Sequence, residues 1–136
     1  MVIRPIIEKK TNVVYGSRFL NKKKNRRFYF LANYLVFGNY VLTFISNLLN
    51  SQDLTDAHTC YKVFKKKTFD KINLTENRFA FCPEITTKIA LINEQILEVP
   101  INYKPRTYEN GKKIGLIDAF DALKALRKYR FFKKNI

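Results

Sequence analysis

From Phe28 to Leu49 the chain carries no charged residue. No other stretch constrains the fold as strongly, because about 20 uncharged and mostly apolar residues in helical form can cross a bilayer. Asn33, Asn39, Asn47 and Gly38 interrupt the run. Amides in hydrocarbon are costly without partners, which argues against a span. The run instead predicts a helix buried on one side and set against a membrane surface or subunit interface on the other. The preceding segment Lys22-Lys23-Lys24-Asn25-Arg26-Arg27 would then meet anionic headgroups; its plain alternative is a solvated charge run.

Charge narrows the partner classes. Across 136 residues, 26 Lys and Arg against 11 Asp and Glu give a formal charge of +15. Such a chain calls for an anionic partner: nucleic acid, anionic lipid or a phosphorylated substrate. A hydrophobic fraction of 46% and an aromatic fraction of 15% argue against disorder, and the length suits one domain with its own core. Cys60 and Cys82 are too few for a disulfide framework, which points to reduced thiols in a cytosolic setting. With His58 as the single histidine, no metal-ligand spacing supports structural zinc. Met1 to Lys10 contains a proline and alternating charges, not the apolar core of a signal peptide.

In chain order, Asn12 to Arg18 reads as a strand running into a Gly-Ser turn. After the long helix, Thr59 to Phe64 alternates polar and apolar side chains and predicts a second strand that packs Cys60 as a small hydrophobe. Lys65 to Ile72 predicts a short helical turn. Pro83 is expected to open a helix over Glu84 to Asn93 with Ile85, Ile89 and Ile92 on one face. Gln95 to Tyr103 predicts a third strand, where Pro100 marks an edge or bulge. A loop over residues 104–113 leads to a final helix from about Asp118, with Phe120, Leu123 and Leu126 inward and Lys124, Arg127 and Lys128 outward. The order strand, helix, strand, helix, strand, loop, helix is α/β in character. It reads as the second half of a domain, because no Gly-rich or acidic ligand loop precedes Val13.

Within this frame, Leu54-Thr55-Asp56-Ala57-His58 sets one carboxylate between an apolar run and a strand. Asp is by default a turn or helix-start residue, bonding its own backbone. The alternative is that chemistry needs a carboxylate there.

The ordered blocks resemble a known family. Pro5-Ile6-Ile7-Glu8-Lys9-Lys10, Val13-Val14-Tyr15-Gly16-Ser17-Arg18-Phe19 and Leu42-Thr43-Phe44-Ile45-Ser46-Asn47 come first. Leu54-Thr55-Asp56, Thr59-Cys60-Tyr61-Lys62-Val63-Phe64, Asn77-Arg78-Phe79 and Pro83-Glu84-Ile85-Thr86 follow. Glu98-Val99-Pro100-Ile101 and the run from Arg106 through Gly115 close the set. Together they resemble family 2 glycosyltransferases, in the branch of dolichol-phosphate mannosyltransferase, over nearly the whole chain.

The resemblance implies an α/β GT-A (nucleotide-diphospho-sugar transferase) fold. It implies inverting transfer of a sugar from a nucleotide-sugar donor to a membrane acceptor, commonly a polyprenyl phosphate, on the cytoplasmic face. Residues 1–136 would be the C-terminal portion of one such domain, incomplete on its own. The family's Asp-x-Asp motif, which serves the nucleotide and a divalent cation (Mg or Mn), has no counterpart; Asp53-Leu54-Thr55-Asp56 has the wrong spacing and lies in the wrong block. The donor-binding half and the metal ligands are therefore expected outside this chain, where a separate donor-binding chain would supply them; a homo-oligomer is the other partner expected. Departures occur at His58, where relatives are acidic or polar, at Cys82, where glutamate is frequent, and at Tyr40, where a cation is common.

Beneath the resemblance lies simple chemistry. A phosphate acceptor is already nucleophilic near neutral pH, so the enzyme must bring two anions together rather than supply a strong base. Fixed cations meet that need. Arg18 stands at the strand end, and Arg106, Lys112 and Lys113 share one loop with Gly111. Lys112 and Lys113 have a plain alternative as solvated loop residues; Pro105 stiffens the backbone at Arg106. Asp56 is the candidate catalytic residue, orienting an acceptor or a cation near the reacting centre. Glu84 is a further candidate, against a structural role at a helix start. Rival readings are a non-catalytic remnant or subunit and a basic nucleic-acid-binding module. The aromatics fall at core-like spacings rather than in a stacking motif, which counts against nucleic acid.

Overall fold

β-branched Val13 and Val14, aromatic Tyr15 and the small pair Gly16-Ser17 form the central strand of a three-stranded sheet, and every one of these residues is buried. The computed structural model describes residues 2–20, 34–102 and 116–132. Its elements run α1 (Arg4–Ile7), β1 (Val13–Ser17), α2 (Tyr34–Asn50), β2 (Lys62–Phe64) and α3 (Lys66–Phe69). A 3₁₀ turn (Arg78–Ala80), α4 (Phe81–Leu91), β3 (Ile96–Pro100), α5 (Leu116–Arg127) and a π-helical turn (Lys128–Phe132) follow. The protein is a small mixed α/β structure, with strand order β2-β1-β3.

β1 pairs antiparallel with β2, Val14 opposite Val63, and parallel with β3, from Val13 opposite Ile96 to Ser17 opposite Pro100. A parallel neighbour demands a long crossover, and everything from α2 to α4 lies within it. Pro100 sits on an edge strand, as proline requires, and the Ile101 amide extends the ladder to the Ser17 carbonyl at 3.0 Å.

The core joins Val13 and Tyr15 of β1, Leu54 and Ala57 of the loop after α2, Ile72, and Ile85 and Ile89 of α4. Tyr15 reaches past the apolar residues to share a hydrogen bond with Thr86 at 3.1 Å. Burial pushes its phenol well above the ordinary range, so it stays neutral.

Several expectations need correction. α4 begins at Phe81, so Pro83 is the third helical residue rather than the first; the first turn has no intrahelical use for its N–H, and proline is tolerated there. Cys60 lies before β2 and is exposed, not packed in a strand. In α5 the expected inward face holds at Leu126 and the outward one at Lys124 and Arg127, but Phe120 is not inward. Phe120 is 71% exposed, while Ala122, Ala125, Leu126 and then Tyr129 are buried. The helix packs on α2 and α4, and alanines on that face allow a close approach that a phenylalanine would block. No helix among the described residues is long and apolar enough to cross a membrane.

Gly16 marks the tightest point of the sheet. A Cβ there would stand 2.7 Å from Ile101 Cγ2 and 2.9 Å from Tyr61 Cβ. Gly16→Ala is therefore expected to lower stability by about 1–3 kcal/mol through overpacking. Gly38→Ala in α2, with nothing within 4 Å of the added carbon, should be neutral or stabilising by up to about 1 kcal/mol. Urea unfolding of the two variants checks this, and matching midpoints would refute it.

Candidate functional site

The loop from Leu54 to Thr59 lies at the carboxyl end of β1 and is tied from several directions. Asn47 of α2 brackets Leu54, donating to its carbonyl at 2.8 Å and accepting its amide at 3.0 Å. The Thr43 hydroxyl accepts the Ala57 amide at 3.3 Å. From β3, the Glu98 carboxylate accepts the Thr55 amide at 2.7 Å, the Thr55 hydroxyl at 2.8 Å and the Asp56 amide at 2.9 Å. Thr59 donates its hydroxyl to the Gly16 carbonyl at 2.6 Å. Lys62, folded over the Tyr15 ring, donates its amine to the Ala57 and Thr59 carbonyls at 2.9 and 2.7 Å.

These ties hold Asp56 with no solvent exposure. Its carboxylate receives Arg18 Nε at 2.6 Å and Arg18 Nη2 at 2.7 Å, in parallel. The Arg18 amide at 3.2 Å and Asn39 Nδ2 at 3.3 Å add to these. A buried carboxylate needs this saturation, since desolvation costs several kcal/mol unless charge and hydrogen bonds compensate. Arg18 is positioned in turn by the chain reversal after β1, where the Ser17 hydroxyl accepts the Phe19 and Leu20 amides at 3.1 and 3.2 Å.

The two sequence candidates Asp56 and Arg18 are thus brought together. Asp56 holds the Arg18 guanidinium in this arrangement. Arg18 presents one edge of its guanidinium to Asp56, and its side chain stays 23% exposed. Arg106, Lys112 and Lys113 lie outside the described residues. Glu84 belongs elsewhere. Its buried carboxylate accepts the Thr75 and Glu76 amides at 2.9 and 2.8 Å and the Thr75 hydroxyl at 3.1 Å, and pairs with Lys88 at 3.1 Å. Burial opposes its ionisation, but the Glu76 and Thr75 amides, Lys88 and the Thr75 hydroxyl prevail and hold it below the usual carboxylate range. Lys88 bridges on to the Asn73 carbonyl. Glu84 therefore fastens the loop before α4, and none of these partners is shared with Asp56.

Sequence reasoning does not single out Glu98, Asn39 or Asn47 as site residues. The visible signal for Glu98 is a lone carboxylate within Ile96–Pro100; for the asparagines it is their place in a run with no charge to satisfy. Burial raises the Glu98 pKa, against the opposing pull of the Thr55 and Asp56 amides. His58 is a second unassigned group. Its Nε2 is buried without a hydrogen-bond partner. Burial first, and then the charge of Lys62, depress its pKa to about 4, with Asp56 pulling the other way.

A divalent cation does not fit the described residues. Asp56 is committed to Arg18 and Asn39, Asp53 is exposed, and among the described residues no group of three or more His, Cys, Asp or Glu converges as a metal site. A cavity of about 920 Å³ lies between residues 75–80 and α5, lined by Glu76, Arg78, Asp121 and Lys128 among others. It shares no lining residue with the Asp56 loop, so the open space and the tightly tied site are separate.

Asp56→Asn should cost about 3 kcal/mol, because it breaks a buried pair in which the carboxylate accepts two guanidinium hydrogen bonds. Asp70→Asn, at the exposed pair with Lys66, should change stability little. Chemical denaturation of both variants provides the measurement. His58 generates a second expectation. Its folded pKa of about 4 lies below the ordinary 6.5, so the unfolded chain takes up the proton first. Stability is then full above about pH 6.5 and falls by on the order of 2 kcal/mol as pH drops toward about 4.5. His58→Gln should remove that part of the slope, and an unchanged slope would show that His58 does not carry it.

Compared with protein-family models, with curated proteins and with solved structures, the chain matches none.

Proposed function

We propose that this chain supplies the acceptor side of a family 2 glycosyltransferase, in which a sugar passes from a nucleotide-sugar donor to a polyprenyl phosphate at a membrane. The observation that carries the reading is the Arg18–Asp56 pair at the carboxyl end of the parallel β1–β3 pair. In α/β sheets, ligands bind outside the carboxyl ends of the strands. A guanidinium held there by a buried carboxylate suits phosphate, since its planar fork stays oriented without help from the ligand. The ordered sequence blocks through Glu98-Val99-Pro100-Ile101 and Arg106 to Gly115 point the same way.

In this reading the acceptor phosphate oxygen attacks the anomeric carbon as the nucleoside diphosphate departs, with inversion at that carbon. Asp56 does not touch the reacting atoms; it positions Arg18, which offsets the acceptor's charge as two anions approach. Arg106, Lys112 and Lys113 are proposed to share that role. The donor and its divalent cation are assigned to residues other than those described, on a separate donor-binding chain or segment, because the sequence holds no Asp-x-Asp.

Calorimetry with a polyprenyl phosphate in neutral detergent tests the proposal. The chain should bind the phosphate well above the matching polyprenol. A charge-assisted contact to phosphate is worth about 1.5–3 kcal/mol, so Arg106→Ala should weaken binding about 10- to 100-fold. Arg106→Lys should recover part of this, and Lys67→Ala should behave as wild type. Supplied with a donor-binding chain, the variants should rank in the same order in kcat/KM. Equal affinity for phosphate and alcohol would overturn the reading.

A further inference from the structure

Helix α2 departs from the usual amphipathic helix, whose apolar stripe faces the core and whose polar side faces water: its fully buried described positions are polar and its most exposed ones apolar, with Val36, Leu42, Ile45 and Leu49 half-buried between them. Asn39, Thr43, Ser46 and Asn50 recur at i, i+4, i+7 and i+11 and face the protein. Thr43, Ser46 and Asn50 are buried. Asn39 donates to Asp56, Thr43 accepts the Ala57 amide, and Asn50 donates to the hydroxyls of Ser46 and Thr87 at 3.3 and 3.2 Å. The opposite side carries Phe37, Tyr40, Val41, Phe44 and Leu48 at i, i+3, i+4, i+7 and i+11, all between 37 and 72% exposed. No charged residue lies anywhere in α2.

A contiguous apolar stripe of this kind marks a surface meant for a second apolar medium. Charge selects the medium. A second copy would bring another +15 against the first, and two such bodies repel. An anionic lipid surface attracts the same charge while offering hydrocarbon to the stripe.

We propose that the outer face of α2 docks the protein on anionic membrane surfaces. The proposal stands on the burial pattern and the charge, independent of any sugar transfer.

Vesicle flotation of the full chain tests it. Phosphatidylcholine vesicles containing phosphatidylglycerol should capture the protein, phosphatidylcholine alone should capture far less, and high salt should release part of the bound fraction. Phe44→Ser and Leu48→Ser should each weaken capture by about tenfold or more, since burying one such side chain contributes about 1.5–3 kcal/mol. Both positions are exposed, so circular dichroism should be unchanged. The chain has no tryptophan, which allows a second readout that needs no loss of binding. Leu48→Trp fluorescence should shift to the blue on anionic vesicles, and Lys67→Trp fluorescence should not. Wild-type capture by the serine variants, or an unshifted spectrum for Leu48→Trp, would overturn the proposal. So would a dimer in sedimentation that Phe44→Ser dissociates, with no vesicle capture by either protein.

Discussion

The charge of Asp56 lies at a position without solvent, and the surroundings are arranged to hold it there. A carboxylate so placed is unfavourable by several kcal/mol unless a cation and hydrogen bonds meet it. Arg18, the Arg18 amide and Asn39 do so. The donors come from two parts of the architecture: the turn after β1 supplies Arg18 with both its amide and its side chain, and the long helix supplies Asn39. Glu98 on β3 then holds the Asp56 amide from behind. The ion pair therefore joins the central strand, the edge strand and the crossover helix at one end of the sheet.

That demand accounts for the unusual orientation of α2. The loop from Leu54 to Ala57 has backbone groups that no strand partner satisfies, and buried amides and carbonyls need partners. Asn39, Thr43 and Asn47 meet the loop from successive turns of the helix. With polar residues at its fully buried positions, the helix keeps Val36, Leu42, Ile45 and Leu49 half-buried at the flanks and turns Phe37, Tyr40, Val41, Phe44 and Leu48 outward. The exposed stripe is thus the counterpart of a polar internal contact, and the two cannot be changed independently.

A second buried polar network, around Glu84, has a different character. Its carboxylate collects backbone amides from residues 75 and 76 and pairs with a lysine one turn along its own helix. Thr75 also shares a hydrogen bond with Tyr129, which donates to Glu76 at 2.7 Å, and Lys128 pairs with Glu76. This closes the loop before α4 onto the C-terminal helix. Both networks bury a carboxylate, but in the Glu84 network the cation, Lys88, is buried with it, whereas Arg18 keeps part of its surface open.

Local sequence determined most of the elements. Val13 to Ser17, with its β-branched and aromatic residues, became the central strand, and the described part of the run without charge, from Tyr34, became a long helix. Ile85 and Ile89, four apart, became the core face of α4. For Asp56 the local sequence suggests a turn residue, and the resemblance an orienter of an acceptor or a cation; neither specifies Arg18 as the partner. Tertiary structure decided what depends on partners distant in sequence. Arg18 and Asp56 are 38 positions apart, and Glu98 reaches its loop across 42 and 43; no local pattern specifies such contacts. Glu84 has the local signature of a helix-start carboxylate and does lie in the first turn of α4, but only the fold brings residues 75 and 76 onto its side chain. The alternation around Cys60 suggests a strand that in fact starts only at Lys62. The phase of α5 follows its alanines rather than Phe120, because close helix packing is limited by the smallest side chains at the contact and not by the most hydrophobic ones in the sequence.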